Sequence, residues 1–236
     1  MMNKIRLVAM FVAAFTLLAG CGIFSPAQQP EPLAAMAQGT LEVRLLQFPE
    51  EESEEEYPGV YPGLIDEDIY TNESIGLSFT LPEGWSFADD EIIEMMMGAG
   101  VELVAENGGY IDTADIVAIY DMIAFNANTD SNIMVMIEAL PLELEPGTEL
   151  PDATVHLEAL QERLEEMDVF GFVFGRPFVT TLSGQDFDAL PVTVDINDTP
   201  TRQYYFVRIH NLHMITIVAS LFEDITVEEL IGFFDL

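Results

Sequence analysis

Along residues 77 to 81 apolar and hydroxyl side chains alternate, Leu77, Phe79 and Leu81 against Ser78 and Thr80. A period of two predicts a half-buried strand, and Pro82 and Gly84 stop it. The following "ADDEIIEMMMGAGVELVAENGG" predicts one or two helices, with Asp89 or Asp90 as a cap and glycines as breaks. Residues 120–126 and 132–139 read as strands joined through "ANTDS". The second is apolar on both faces, which places it at the centre of a sheet. In "DATVHLEALQERLEEMD", Leu157, Leu160, Leu164 and Met167 fall on one stripe with charge opposite, an amphipathic helix capped by Asp152. Strands follow at 176–182, 187–196, 202–209 and 213–221, with "LSGQD" and "IHNLH" as tight connections. The chain closes on "TVEELIGFF", where Thr226 and Glu229 form a capping box ahead of Leu230, Phe233 and Phe234. Helices before, within and after an antiparallel meander predict an α+β fold, a sheet flanked by helices.

The pattern upstream of Tyr70 differs. Lys4 and Arg6 precede an apolar segment from Leu7 to Leu18, too short to span a bilayer at about 20 residues. A basic start, an apolar core and small residues at its end are the parts of a secretory signal. Leu18-Ala19-Gly20-Cys21 resembles the bacterial lipobox, which implies cleavage before Cys21, a thioether to diacylglycerol and an acylated amino terminus. Several acyl chains anchor a protein where one chain binds only marginally. "GIFSPAQQPEPLAAMAQGT" is rich in Pro, Gln and Ala, and six glutamates stand within residues 50–56. Like charges at that density stay extended. The expected organisation is therefore a signal at 1–20, lipidated Cys21 plus a flexible, Glu-rich tether over 21–69, and one domain over 70–236.

Charge narrows the partners. Without Lys4 and Arg6 the chain keeps five arginines against 42 Asp plus Glu, two charges more negative than the −35 of the full sequence. Such a field repels nucleic-acid phosphates and attracts divalent cations and basic proteins. No nucleic acid is expected as a partner. Half the residues are hydrophobic, so a core can form without a structural metal. Cys21 is the one cysteine, so no disulfide forms within the chain.

Candidate chemistry is sparse. His210 and His213 flank Asn211-Leu212 and would face each other across a two-residue hairpin, a zinc pair if a carboxylate joined them. As plain turn-edge residues they need no metal, and no cofactor is expected. His156 reads as a partly exposed polar position. Ser183 lies in "LSGQD", which lacks the strand-to-helix elbow of a serine nucleophile. Asp66 with Asp68, or Asp195 with Asp198, are carboxylate pairs of the kind a glycosidase uses, although 42 acids produce such pairs by composition. "NANTDSN" has the oxygen content of a calcium loop without its spacing. Trp85 is either a stacking platform for sugar or a core plug. The run Met95-Met96-Met97 suits an adaptable apolar surface.

The order of elements, together with "GLSFTLPEGW" ahead of a helix, resembles the PsbP/Mog1-like α/β/α sandwich over residues 70–236. Within that group the chain looks most like bacterial lipoproteins of the Firmicutes type. The resemblance implies a binding or accessory module rather than an enzyme, held at the extracytoplasmic face of a cell membrane by its N-terminal lipid. The alternative, from another class, is an extracytoplasmic hydrolase using paired carboxylates on cell-wall or sugar substrates.

Overall fold

The computed structural model describes residues 59–89, 92–93, 118–140, 152–166, 171–196, 199–222 and 225–234. Cys21, Met95-Met96-Met97, Met167 and the side chains of Asp195 and Asp198 lie outside the described residues. Two antiparallel sheets organise the rest. The smaller joins β1 (Leu64–Asp66), β2 (Ile69–Asn72) and β3 (Leu77–Thr80) in that order. The larger holds β4 (Ser86–Phe87), β5 (Ala118–Phe125), β6 (Asn132–Ala139), β7 (Val173–Phe174), β8 (Phe178–Leu182), β9 (Gln185–Ile196), β10 (Thr199–His210) and β11 (His213–Leu221). Its order is β4-β5-β6-β11-β10-β9-β7, with β8 also paired to β9. Among the described residues, helix α1 (Ala153–Glu166) and helix α2 (Val227–Gly232) join the sheets in an α+β fold.

Strands β6 and β11 sit at the middle of the large sheet, and both faces of each are buried. This is why 132–139 carries an unbroken apolar run rather than an alternation. On one face, Leu157, Leu160 and Leu164 of α1 pack with Met134, Met136, Leu190, Tyr205 and Val207. On the other, Tyr70, Phe79 and Trp85 join Leu230 and Phe234 against Val135, Phe187, Phe206 and Ile217. The caps fall where the sequence placed them. Asp152 Oδ1 accepts from Val155 N–H at 2.8 Å and Asp89 Oδ1 from Ile92 N–H at 2.9 Å. At α2, Thr226 and Glu229 exchange both bonds of the capping box.

Turns set the register. Ser183 and Gly184 (φ 49° and 74°) link β8 to β9, while Asn211 and Leu212 (φ 47° and 59°) link β10 to β11. Both are two-residue hairpins with left-handed backbone, the twist that matches adjoining strands. Pro191 lies inside β9, where a missing N–H would ordinarily break a ladder. Here it falls at the hand-over between β8, which pairs with residues 185–189, and β7, which pairs with 192–193.

The domain begins earlier than Tyr70. Val60 is buried, β1 pairs residue for residue with β2, and residues 59–69 are part of the fold rather than of a tether. Tyr61-Pro62-Gly63 is the approach to the β1–β2 hairpin.

Candidate functional site

An acid inside an apolar strand marks the centre of the largest described polar network. In "AIYDMIAF" of β5, the register shifts between Tyr120 and Met122, so Asp121 is an inserted residue. A bulge of this kind re-aims one side chain out of the ladder. Asp121 Oδ1 accepts from Gly63 N–H at 2.8 Å, and Oδ2 accepts from Asn72 Nδ2 at 2.7 Å and from the Tyr70 hydroxyl. Burial lifts the Tyr70 hydroxyl far above its ordinary range, and the Asp121 charge and hydrogen bond push the same way against Asn72. Tyr70 is thereby fixed as a donor. Gly63 is dictated by this closeness, because a Cβ there would stand 2.3 Å from the Tyr70 ring and 2.9 Å from the Thr71 carbonyl oxygen.

Asn72 carries the network outward. Its Oδ1 accepts from Ser74 N–H at 3.0 Å, Ser74 Oγ at 2.6 Å and Ile75 N–H at 3.3 Å, while Nδ2 also donates to the Tyr61 carbonyl at 2.8 Å. Ser74 Oγ in turn accepts from Tyr61 N–H at 3.0 Å. The loop so closed meets β10 through Arg208, whose Nη1 donates to the Ile75 carbonyl at 3.2 Å. The Arg208 guanidinium also lies 6.0 Å from the Phe187 ring centre, an arrangement in which the ring face attracts the cation.

His210 and His213 do face each other, paired across the β10–β11 turn. His210 Nδ1 stands 3.2 Å from Arg208 Nη2, and His213 Nδ1 lies 2.7 Å from the Asn211 carbonyl. Burial, then Arg208, then His213 draw His210 below the ordinary histidine range, against a hydrogen bond to the Ser74 backbone. A guanidinium beside the ring disfavours a bound cation. Among the described residues no three His, Cys, Asp or Glu side chains are grouped to hold a metal.

His156 departs from the expected half-exposed position. It is 8% exposed on the inner face of α1, beside Leu157, because positions 153, 156, 157, 160 and 164 form one helical stripe. Burial first, and the Arg163 charge second, lower it to about 4. The folded value lies below the unfolded one near 6.5, so the unfolded chain takes up a proton that the folded chain refuses. This contribution is intact above about pH 6.5 and is lost as pH falls toward 4, to a total of about 3 kcal/mol. Urea midpoints at pH 7 and 5 are expected to fall further for the natural chain than for His156→Leu. Parallel pH profiles would contradict the burial of a neutral imidazole.

Ser183 is a fastener. Its Oγ accepts from Ser78 N–H at 2.9 Å and its hydroxyl is shared between the carbonyls of Ser78, at 3.0 Å, and Phe234, at 2.8 Å. One side chain thus joins the small sheet, the β8–β9 hairpin and the chain's end. Trp85 is 8% exposed with its ring 6.5 Å from Phe233, a core plug rather than a platform. Asp66 and Asp68 are exposed at the β1–β2 turn. Tyr70, Asn72, Gly63 and Asp121 are absent from the sequence-derived candidates, and the signal for them was the lone acid of "IYDMI".

These features define an α+β domain in which a two-faced antiparallel sheet is overlaid by a second small sheet and fastened by buried polar bridges. In fold the chain is similar to the solution structure of cyanobacterial PsbP (CyanoP) from Synechocystis sp. PCC 6803, at 18% identity and a TM-score of 0.45, covering 75% of this chain and 94% of that one. At these values nothing of that protein's role passes to this chain. No protein-family model matches the chain, and no curated protein does.

Proposed function

We propose that this chain is a lipid-anchored extracytoplasmic lipoprotein whose domain is a non-enzymatic binding or accessory module. The observation that carries the reading is Leu18-Ala19-Gly20-Cys21 at the end of a signal-like apolar segment. A lone cysteine at that place is accounted for by a lipid thioether. The commitment of the domain's polar groups supports the second half. Asp121 takes three donors, Ser183 bridges two carbonyls, and Tyr70 is held as a donor. These three side chains are engaged in holding the fold.

The test is expression of the natural chain and Cys21→Ser in a bacterium with a lipoprotein pathway. The natural protein is expected to enter the detergent phase on Triton X-114 partition, with a mass matching an acylated Cys21 terminus. Cys21→Ser is expected to stay as the uncleaved precursor. Equal partition and equal processing of the two would sink the anchor.

A further inference from the structure

The outer edge of the small sheet is chemically unlike the rest of the described surface. Four exposed large apolar side chains gather on one hairpin and its approach: Tyr61 at 62%, Leu64 at 75%, Ile65 at 48% and Ile69 at 39%. Leu64 and Ile69 share the face turned away from Tyr70, as the pairs Leu64↔Thr71 and Asp66↔Ile69 require. Other strand-edge donors of this sheet are capped. Ser78 N–H is taken by Ser183, Thr80 N–H by the Phe233 carbonyl at 2.8 Å, and Gly63 N–H by Asp121.

Ile65 is the exception. A two-residue hairpin closes on a hydrogen-bonded pair, here Asp66 with Ile69, so the next pair, Ile65 with Tyr70, turns its β1 backbone groups outward. The Ile65 N–H and C=O therefore face away from β2, with Leu64 on one side and Asp66 on the other. Proteins blunt open edges with Lys, Pro or an inward charge. This edge has instead an acidic surround. Asp66, Glu67 and Asp68, all exposed, stand at the adjoining turn.

We infer that the β1 edge is a docking surface for an extended peptide segment of another protein, one that alternates apolar residues with Lys or Arg and adds a strand against Ile65. Backbone bonds at Ile65 set its register, Leu64, with Ile69 behind it on the same face, receives its apolar side chains, and its cations meet Asp66, Glu67 and Asp68. A second copy of this chain does not fit, since two such acidic edges repel. The inference rests on the reading of the domain as a binding module and is independent of the lipid on Cys21.

The test uses the full chain in detergent micelles and a fluorescein-labelled nine-residue peptide of alternating Lys and Val, read by anisotropy. Binding is expected, falling by about tenfold or more for Leu64→Ser with Ile69→Ser, whose melting temperature stays unchanged because both positions are exposed. The pair Val173→Ser with Val179→Ser, at exposed apolar positions on β7 and β8, is expected to bind as the natural chain does. A peptide with Pro at its central position, or with Glu in place of Lys, is expected not to bind. Equal binding of the Pro peptide, or of the Leu64/Ile69 variant, would reduce the effect to general charge attraction and overturn the strand. Concentration-dependent self-association abolished by Leu64→Ser and Ile69→Ser would make the occupant a second copy, and loss of binding to phosphatidylcholine vesicles alone would make it lipid; either result overturns the proposal. Cys21→Ser, solubilised in the same way, is expected to bind the peptide normally, which separates failure of this surface from failure of the anchor.

Discussion

Removal of residues 226–236 is expected to unfold the domain. Leu230 and Phe234 are fully buried in the core beneath the small sheet. Phe234 stands 5.1 Å from Phe79 between ring centres, and Phe233 lies 6.3 Å from Phe79 across an edge-to-face contact. Burial contributes roughly 1.5 to 3 kcal/mol for each such side chain, before any cavity left behind is counted. The deletion also strips one acceptor from β3 and one from the β8–β9 turn, since the Phe233 carbonyl holds Thr80 N–H and the Phe234 carbonyl holds the Ser183 hydroxyl. A domain's whole stability is about 5 to 15 kcal/mol, so these losses together consume most of it. Urea titration followed by tryptophan emission reads the result, because Trp85 packs against Phe233. A truncated chain with the midpoint of the natural one would show that the aromatic cluster is held by something else. The single substitution Phe234→Ala is expected to lower stability by about 4 kcal/mol.

Asp121→Ala is expected to be the most damaging polar substitution. It leaves the Tyr70 hydroxyl, one Asn72 N–H and the Gly63 N–H without their acceptor, two of them on residues that are themselves buried. Orphaning buried donors costs about 1 to 3 kcal/mol apiece, less where the loop relaxes or water enters, and a total of about 3 to 4 kcal/mol is expected. Tyr70→Phe removes one donor and leaves Asp121 with two others, so about 1 kcal/mol is expected there. The two changes act on one bond and are expected to be strongly non-additive in a double-mutant cycle. Chemical denaturation of the four proteins measures this, and simple addition would show that Asp121 and Tyr70 are energetically independent.

The same network explains what the sequence conveyed and what it hid. Strands β6, β10 and β11, helix α1 and the capping box of α2 were legible because their signals are local: an apolar run, a helical stripe, Thr226 three residues before Glu229. Residues 59–69 were not, because "PGVYPGLIDED" has too little apolar periodicity to hold a hairpin on its own. The hairpin is fastened by Asp121, which lies 58 residues from Gly63 along the chain, and no window of sequence contains both. Asp121 itself was hidden among 42 acids, most of which any soluble surface would carry. His156 failed for a different reason, as its polarity outweighed a position that the stripe of Ala153, Leu157, Leu160 and Leu164 had already assigned to the interior.

The bridge from Ser183 to Ser78 and Phe234 also sets a schedule. Its partners are separated by 105 residues on one side and 51 on the other. Until residues 230–234 have been made, the β8–β9 hairpin has no Phe234 carbonyl to meet, and the place that Leu230 and Phe234 fill in the core is empty of them. Contacts so distant in sequence are also slow to find one another. A nascent molecule is therefore unsealed at this bridge until Phe234 has emerged.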